Sequence, residues 1–361
     1  MRKILTRAAA VLLLAAAVPL SPPVAAEAAA QSRTGSWTAE YEEDGRIQLN
    51  LTWRNTSNWG QNYDASELRG LSQGQVTSSV STPVSFRLER DPGSFDFQGT
   101  FQDGRGGGHF RFHPNAAFAS TLRGMGVAGA EQLSENELMS LALSNTSAQR
   151  ARELTRLGMG TISVRNLIEM GIHGVTPEYV REMRAAGVDG IDSPSGAVRL
   201  RIHGVTPRYV REMEALGFRD LSTGQLLEMS IHGVRPEFVR ELRQAGYRDL
   251  SARTLVQMRI HGVSPAFMRD LDGLGYRGLS TSTLVQMRIH GVTPAFIRDL
   301  DGLGYRGLST STLVQMRIHG VTPAFIRDLR AAGFRNLSTS TLVRMKIHGI
   351  GAEFARNDRG R

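Results

Sequence analysis

The sequence predicts a multidomain α and β protein, in which a small antiparallel β domain precedes an α-helical repeat array. The array is predicted to be an α-solenoid of two short helices per 29 residues. One observation behind this fold class is a His-Gly pair that recurs at a step of 30 residues once and 29 residues five times. The others are paired helix start and stop signals inside each repeat, and a period-two apolar pattern before the array. The paired histidines are His173, His203, His232, His261, His290, His319 and His348.

Each repeat reads as two helices because it carries two sets of boundary signals. In the unit after His290, Thr293 is a favourable N-cap, Pro294 suits the first helical position, and Gly304 is predicted to end the helix in the left-handed conformation. Ser309 and Gly320 bound the second helix in the same way. Neither helix reaches the ~12–15 residues at which an isolated helix becomes marginally stable. The units are therefore predicted to be held by stacking on one another.

The N-terminal residues 1–30 have the composition of a secretory signal peptide. Arg2, Lys3 and Arg7 precede an apolar run over residues 8–20, and small residues offer cleavage sites near residue 26 or 30. A membrane anchor is the alternative, but the run is shorter than the ~20 residues that a span needs. We expect an exported protein, periplasmic or extracellular, without a membrane span after signal removal.

Composition limits how the exported chain is stabilised and what it binds. The chain has no cysteine, so its stability is expected to come from packing rather than disulfides. The formal charge is +9, and loss of the three basic residues of the signal leaves about +6. Basic and acidic residues alternate along the repeats, which favours a mixed-sign solvated surface over a nucleic-acid or membrane patch.

Residues 35–114 are predicted to form the antiparallel β domain, with five or six strands and one apolar face. Turn sequences separate the strands at residues 44–45, 91–93 and 103–104. The polar segment between Trp53 and Thr82 is predicted to be an extended loop with a short helical turn at residues 64–68. The glycines at 106–108 are predicted to form a flexible hairpin tip rather than a phosphate cradle. The alternating apolar residues include Ile47, Leu49, Leu51, Val84, Phe86, Leu88, Phe95, Phe97, Phe101, Phe110 and Phe112.

The repeat array is predicted to span residues 115–356, followed by a disordered tail over residues 357–361. Degenerate copies precede the first His-Gly, with Phe118 and Leu122 matching apolar positions of the first helix. The array therefore holds about seven or eight units, with atypical copies at its ends, as stacked repeats require. One extra residue is predicted near Ser193-Pro194-Ser195, where the His-Gly step is 30.

Two repeated polar columns were weighed as binding groups. The histidines precede the glycine that ends each second helix, so they are interpreted as C-terminal capping residues; pH response and metal binding are the alternatives. Each of six arginines is followed by an acidic residue, which favours a ladder of ion pairs over a grip on phosphate or carboxylate. Those arginines are Arg181, Arg211, Arg240, Arg269, Arg298 and Arg327.

No enzyme motif is present in the sequence. It lacks a His-Glu-x-x-His metal motif, a Gly-x-Ser-x-Gly elbow, a phosphate-loop Gly-Lys-Ser/Thr and a cysteine nucleophile. The sequence therefore predicts no catalytic residues, no bound cofactor and no metal.

The refrain Ile-His-Gly-Val-Thr-Pro-x-Phe-Ile-Arg, together with Gly-Tyr-Arg-x-Leu-Ser, resembles a known repeat. It is similar to the C-terminal helical repeats of bacterial antirepressor-type, beta-lactam-sensor-like membrane metallopeptidases, over residues 118–354. The peptidase domain, its membrane helices and its zinc motif have no counterpart here, so the resemblance implies no peptidase activity. Residues 289–292 are also similar to the turn of helix-hairpin-helix DNA-binding proteins, with Thr293 in place of the second glycine.

The sequence predicts an exported, non-catalytic scaffold that binds a protein or a cell-envelope component. The alternatives are a nucleic-acid-binding array, and a hydrolase or ligand-binding activity in the β domain. Positions that differ between otherwise matching units are not dictated by the stack, so they are the predicted partner-binding residues. On the first helices these are Arg184, Glu214, Arg243, Asp272, Asp301 and Arg330.

Overall fold

The computed structural model describes residues 33–53 and 57–351. The predicted signal peptide, the predicted tail and residues 352–356 lie outside the described residues. Within the described ranges, no helix is long and apolar enough to cross a membrane. Contacts divide the chain into one compact unit that ends at Asn115 and a second that begins at Ala116, with Arg90–Pro92 grouped with the second.

The first unit is a seven-stranded sheet in the order β3-β2-β1-β7-β6-β5-β4. One face carries the core, where Trp37, Phe95 and Phe97 are at most 1% exposed. The Trp37 ring meets the Phe86 ring edge to face at 5.3 Å. The strands are β1 Arg33–Tyr41, β2 Arg46–Trp53, β3 Ser57–Asp64, β4 Leu68–Arg69, β5 Thr82–Arg90, β6 Gly93–Gln102 and β7 Arg105–Pro114.

The prediction of an extended loop between Trp53 and Thr82 is wrong, and so is the count of five or six strands. β3 pairs with β2 along its whole length, and the two-residue β4 pairs with β5. β3 is the edge strand of the sheet, and Tyr63 is its one buried side chain among those described. An edge strand with one buried residue needs little apolar sequence, so its polar composition concealed it. The predicted short helical turn is confirmed at Ala65–Glu67, and a helix, α1, follows at Gln73–Val76.

The predicted glycine hairpin tip is also wrong. Asp103 and Gly104 form the tip with φ of 48° and 77°, whereas Gly106, Gly107 and Gly108 lie inside β7 between β1 and β6. A Cβ on Gly108 would lie 2.0 Å from the Gln98 carbonyl oxygen. The absence of side chains here serves close strand approach rather than flexibility.

The second unit confirms the predicted helical repeat array. It contains sixteen helices in eight pairs, and in each pair we call the even-numbered helix the first helix and the odd-numbered one the second helix. The helices are α2 Ala117–Gly124, α3 Glu135–Leu143, α4 Ala148–Arg156, α5 Val164–Ile172, α6 Pro177–Ala185, α7 Pro194–Ile202, α8 Pro207–Ala215, α9 Thr223–Ile231, α10 Pro236–Gln244, α11 Ala252–Ile260, α12 Pro265–Gly273, α13 Thr281–Ile289, α14 Pro294–Gly302, α15 Thr310–Ile318, α16 Pro323–Ala331 and α17 Thr339–Ile347.

The predicted helix boundaries are confirmed by the capping contacts. The Thr293 hydroxyl accepts from the Phe296 backbone N–H at 3.1 Å, and the Ser309 hydroxyl accepts from the Thr312 N–H at 3.1 Å. Gly304 and Gly320 take φ of 84° and 71°, the left-handed geometry expected after a helix end. Each unit is therefore delimited by its own sequence signals.

The extra residue of the irregular unit lies earlier than predicted. Six positions separate Gly187 from the N-cap Ser193, against five from Gly304 to Ser309. α7 keeps the nine-residue length of its equivalents, so the insertion falls in the preceding loop and not near Pro194. A loop can absorb an added residue without shifting the buried face of a helix.

Each of the five array tyrosines ties its unit to the next one. The Tyr276 hydroxyl donates to the Leu308 carbonyl at 2.7 Å, and the Tyr209 hydroxyl donates to the Val234 carbonyl at 3.0 Å. In the earlier units the hydroxyl is on the first helix, whereas in the later units it is on the following loop. The complete set of pairs is Tyr179 to Val205, Tyr209 to Val234, Tyr247 to Leu279, Tyr276 to Leu308 and Tyr305 to Leu337.

Candidate interaction surface of the repeat array

A column of basic residues near the end of the second helices joins neighbouring units. The Arg288 guanidinium lies over the Phe267 ring at 5.0 Å, and its Nε donates to the His261 carbonyl at 3.4 Å. That carbonyl belongs to the last residue of the preceding second helix, where helix geometry leaves acceptors unsatisfied and the dipole favours a cation. The equivalent ring contacts are Arg201 with Tyr179, Arg259 with Phe238, Arg317 with Phe296 and Lys346 with Phe325.

The same contact explains why glycine follows the histidine. Gly262 has φ of 70°, and a Cβ at this position would lie 2.7 Å from Nη2 of Arg288. A side chain at 262 would be strained and would also displace the guanidinium from the helix end. The sequence reasoning missed this basic column, although its 29-residue spacing, one position before the isoleucine, was visible.

One unit performs the same task with a different residue. Ser230 occupies the position of Arg259 and is buried, and its hydroxyl donates to the His203 carbonyl at 2.5 Å. The position therefore serves to satisfy the carbonyl at the end of the preceding helix. Guanidinium and hydroxyl are two solutions for one acceptor.

The histidines occupy the C-cap position of the second helices, as predicted. His290 has φ of −91° and ψ of 8°, and its Nε2 lies 3.2 Å from Oε1 of Gln286. Among the described residues, no group of three or more histidine, aspartate or glutamate side chains is placed to hold a metal ion. The histidines thus lie along one side of the second helices, each belonging to its own unit.

The six predicted partner-binding residues lie against the preceding unit or its loop. Arg243 and Arg330 each donate a hydrogen bond to the carbonyl at the C-cap of the preceding first helix, that of Leu216 and Leu303 respectively. These two arginines therefore hold the stack together, because that helix position projects over the neighbouring unit's helix end. Variation between units at this position reflects alternative contacts with the neighbour, which repeat comparison alone does not reveal.

The other four residues have contacts of their own. The Arg184 guanidinium pairs with Asp192 at 2.7 Å. Glu214 lines a cleft of about 250 Å³ with Gly187 of the preceding unit. Burial raises the pKa of Tyr247 and of Tyr276, and the nearby carboxylates of Asp272 and Asp301, respectively, add to that rise.

The predicted ion-pair ladder exists in the earlier units only. Arg181 pairs with Glu153 of the preceding unit at 2.6 Å, and Arg211 pairs with Glu182 at 3.5 Å. Arg240 pairs within its own helix with Glu237 at 3.1 Å. Over residues 57–351, the equivalent Arg269, Arg298 and Arg327 have no carboxylate within ion-pair distance. The ladder is therefore not a general feature of the stack.

The second helices expose a row of isoleucines that the sequence reasoning assigned to an apolar helix. Each is the last residue of its helix, and their exposed fractions run from 47% to 56%. Successive second helices pack on each other, so equivalent residues lie on the same side of the array. We call this side the second-helix face. Its isoleucine row consists of Ile172, Ile202, Ile231, Ile260, Ile289, Ile318 and Ile347.

Charge is divided unequally between the two kinds of helix. The second helices α5 to α17 carry nine basic and two acidic side chains, a net charge of +7 with histidine neutral. The first helices α6 to α16 carry ten basic and eleven acidic side chains, a net charge of −1. The positive excess therefore lies on the same helices as the isoleucine row, which a reading along the chain did not separate.

The β unit has a shallow groove of about 570 Å³ on its polar side, lined in part by Asp96, His109, Arg111 and His113. Nε2 of His113 lies 2.9 Å from Oδ2 of Asp96, and both side chains are 43% exposed. This exposure leaves the pair in contact with water, so the groove lacks the enclosure that a hydrolase site would need.

Comparison of the chain with protein-family models, curated proteins and solved structures finds no match in any of the three. The candidate surface therefore rests on the contacts, exposures and charges described above.

Proposed function

We propose that the protein is an exported, non-catalytic repeat scaffold that mediates protein–protein or cell-envelope interaction through its second-helix face. The observation that carries the proposal is the row of seven half-exposed isoleucines at equivalent positions. Soluble monomers rarely present long contiguous apolar patches, and such a patch is typical of an interaction site. A stack that repeats one surface suits an extended or repetitive ligand.

The polar groups of the array support a structural rather than a catalytic role. Its arginines satisfy helix ends or form ion pairs, its tyrosine hydroxyls bond the next unit, and its histidines end helices. Thr293 supports the distinction from a helix-hairpin-helix, because its hydroxyl already occupies the backbone N–H of Phe296. Neither arrangement leaves a reactive group aimed at an enclosed cavity.

Export and the periplasmic or extracellular location remain predictions from residues 1–30. The resemblance to the antirepressor-type repeats is likewise a prediction, and it supports an interaction role only because those repeats accompany a separate catalytic domain. The partner is expected to be a protein or another cell-envelope component.

Envelope co-sedimentation of the full chain, with its signal removed, tests the proposal. Replacing Ile231, Ile260 and Ile289 together by serine removes apolar surface without entering the buried core. We expect retention of the wild-type chain and loss of the triple variant. The matched control replaces the exposed Ala266, Ala295 and Ala324 of the first helices by serine and should be retained. Equal retention of both variants would contradict the second-helix face as the binding surface.

The earlier predicted surface has its own test in the same assay. Arg184→Glu should weaken envelope association if the partner binds the first-helix side. Unchanged association would remove that side from the proposal and leave the second-helix face. Arg243 is unsuitable for this test, because its hydrogen bond to the Leu216 carbonyl makes it part of the stack.

A further inference from the structure

We propose that the second-helix face docks on the headgroup region of an anionic lipid bilayer, an inference that rests on the proposed function and names its envelope ligand. The face combines two properties that a bilayer surface recognises together, which are apolar side chains that can enter the interface and basic side chains that attract anionic headgroups.

The apolar part of the face is regular and held in place. Every member of the isoleucine row ends a nine-residue helix whose other apolar residues are buried, as Leu284 and Met287 are in α13. Packed second helices lie about 8–10 Å apart, so the row presents its isoleucines at short, repeated intervals. Because the stack already fixes their positions, insertion of one isoleucine brings the next one to the interface.

The basic part lies beside the row. Arg199 and Arg344 sit one helical turn before Ile202 and Ile347 and are exposed, and Arg253 is exposed on α11. Arg288 and Arg317 keep their charge while they cover aromatic rings at the ends of the preceding units. The second helices thus carry +7 against −1 on the first helices, so a negative surface would attract one side of the array selectively.

Charge distinguishes this occupant from two others. A second copy of the chain would place one +7 face against another, and that repulsion opposes a symmetric dimer through this surface. A nucleic acid would satisfy the charge but would leave the isoleucines against phosphate, where they gain nothing. An anionic bilayer satisfies both.

The test is flotation of the full chain, with its signal removed, with vesicles of phosphatidylcholine alone or mixed with phosphatidylglycerol. We expect binding to the mixed vesicles that weakens as salt is added, and little binding to phosphatidylcholine alone. Replacing Arg199, Arg253 and Arg344 by glutamine should reduce affinity about fivefold per arginine, the effect of one basic residue near an anionic surface. The triple Ile231, Ile260 and Ile289 to serine variant should lose at least about tenfold, because each replacement removes apolar surface from the interface.

The matched control removes three exposed arginines from the other side of the array, Arg269, Arg298 and Arg327, and should retain affinity within a few fold. Equal losses in both arginine triples, or no vesicle binding, would overturn the inference. Duplex DNA binding that ignores the isoleucine variant would assign the face to nucleic acid instead, and a dimer abolished by that variant would assign it to a second copy. If isoleucine-dependent envelope sedimentation persisted without vesicle binding, the lipid inference would fail while the proposed function stood.

Discussion

Replacing Arg288 by alanine should destabilise the array more than an exposed arginine can explain. Three contributions are lost: the ring contact with Phe267 at 5.0 Å, the hydrogen bond to the His261 carbonyl and a cation at a helix C-terminus. A cation–π contact contributes about 0.5–2 kcal/mol and the favourable helix-end charge about 0.3–1 kcal/mol. Since the guanidinium is half-buried, we expect a combined loss of about 1–2.5 kcal/mol.

Urea unfolding followed by circular dichroism at the helical band measures this loss. Arg298→Ala is the matched control, because Arg298 is exposed on a first helix of a nearly identical unit, and its effect should stay within about 0.5 kcal/mol. Arg288→Ser should fall between the two, since Ser230 shows that a hydroxyl can bond the same carbonyl without the ring contact. Equal effects of Arg288→Ala and Arg298→Ala would refute the capping role.

Three further predictions follow from contacts between units. Tyr276→Phe removes the hydrogen bond to the Leu308 carbonyl and should cost about 1 kcal/mol in urea unfolding; no measurable cost would show that water replaces the hydroxyl freely. Deletion of residues 261–289 rejoins equivalent interfaces, so the helical dichroism per residue should persist, and its collapse would indicate a closed core instead. Burial raises the pKa of Tyr179 and of Tyr209 from 10.0 to about 12, so stability should be intact below pH 10 and should fall as pH rises through about 12. The double phenylalanine variant should show a shallower fall across that range in urea titrations, and an identical fall would contradict the assignment.

Repeat structure was predictable because local signals agree with the stack. Thr293, Pro294 and Gly304 each determine one boundary through their own backbone chemistry, and those boundaries match the structure. Patterns that depend on neighbouring residues alone were therefore read correctly. The fold class followed from them without any knowledge of tertiary contacts.

The β unit shows where local signals fail. β3 is polar because it lies at the sheet edge and buries little, so period-two apolar alternation was absent. Gly107 and Gly108 were read as flexible, whereas they let three strands approach closely. Both errors arise from sheet order, which long-range pairing decides and which no short window of sequence contains.

The candidate surface was mispredicted for a related reason. Variation between units pointed to Arg243 and Arg330, but these residues project over the preceding unit and cap its helix. The isoleucine row varies nowhere among the units with a His-Gly pair, and it was taken as core, although each member is about half exposed. Invariance inside a repeat protein therefore does not separate buried positions from a repeated exposed surface.

Site-specific photo-cross-linking in envelope preparations tests the central claim most directly, because it reports which side of the array meets a ligand. A photoreactive residue in place of Ile289 lies on the second-helix face, one in place of Ala266 lies on an exposed first-helix position, and one in place of Gln98 lies on the polar side of the β sheet. We expect cross-links to envelope lipid or protein from position 289 and none above background from 266 or 98. Cross-links from 266 or 98 in the absence of any from 289 would contradict the assignment of the second-helix face.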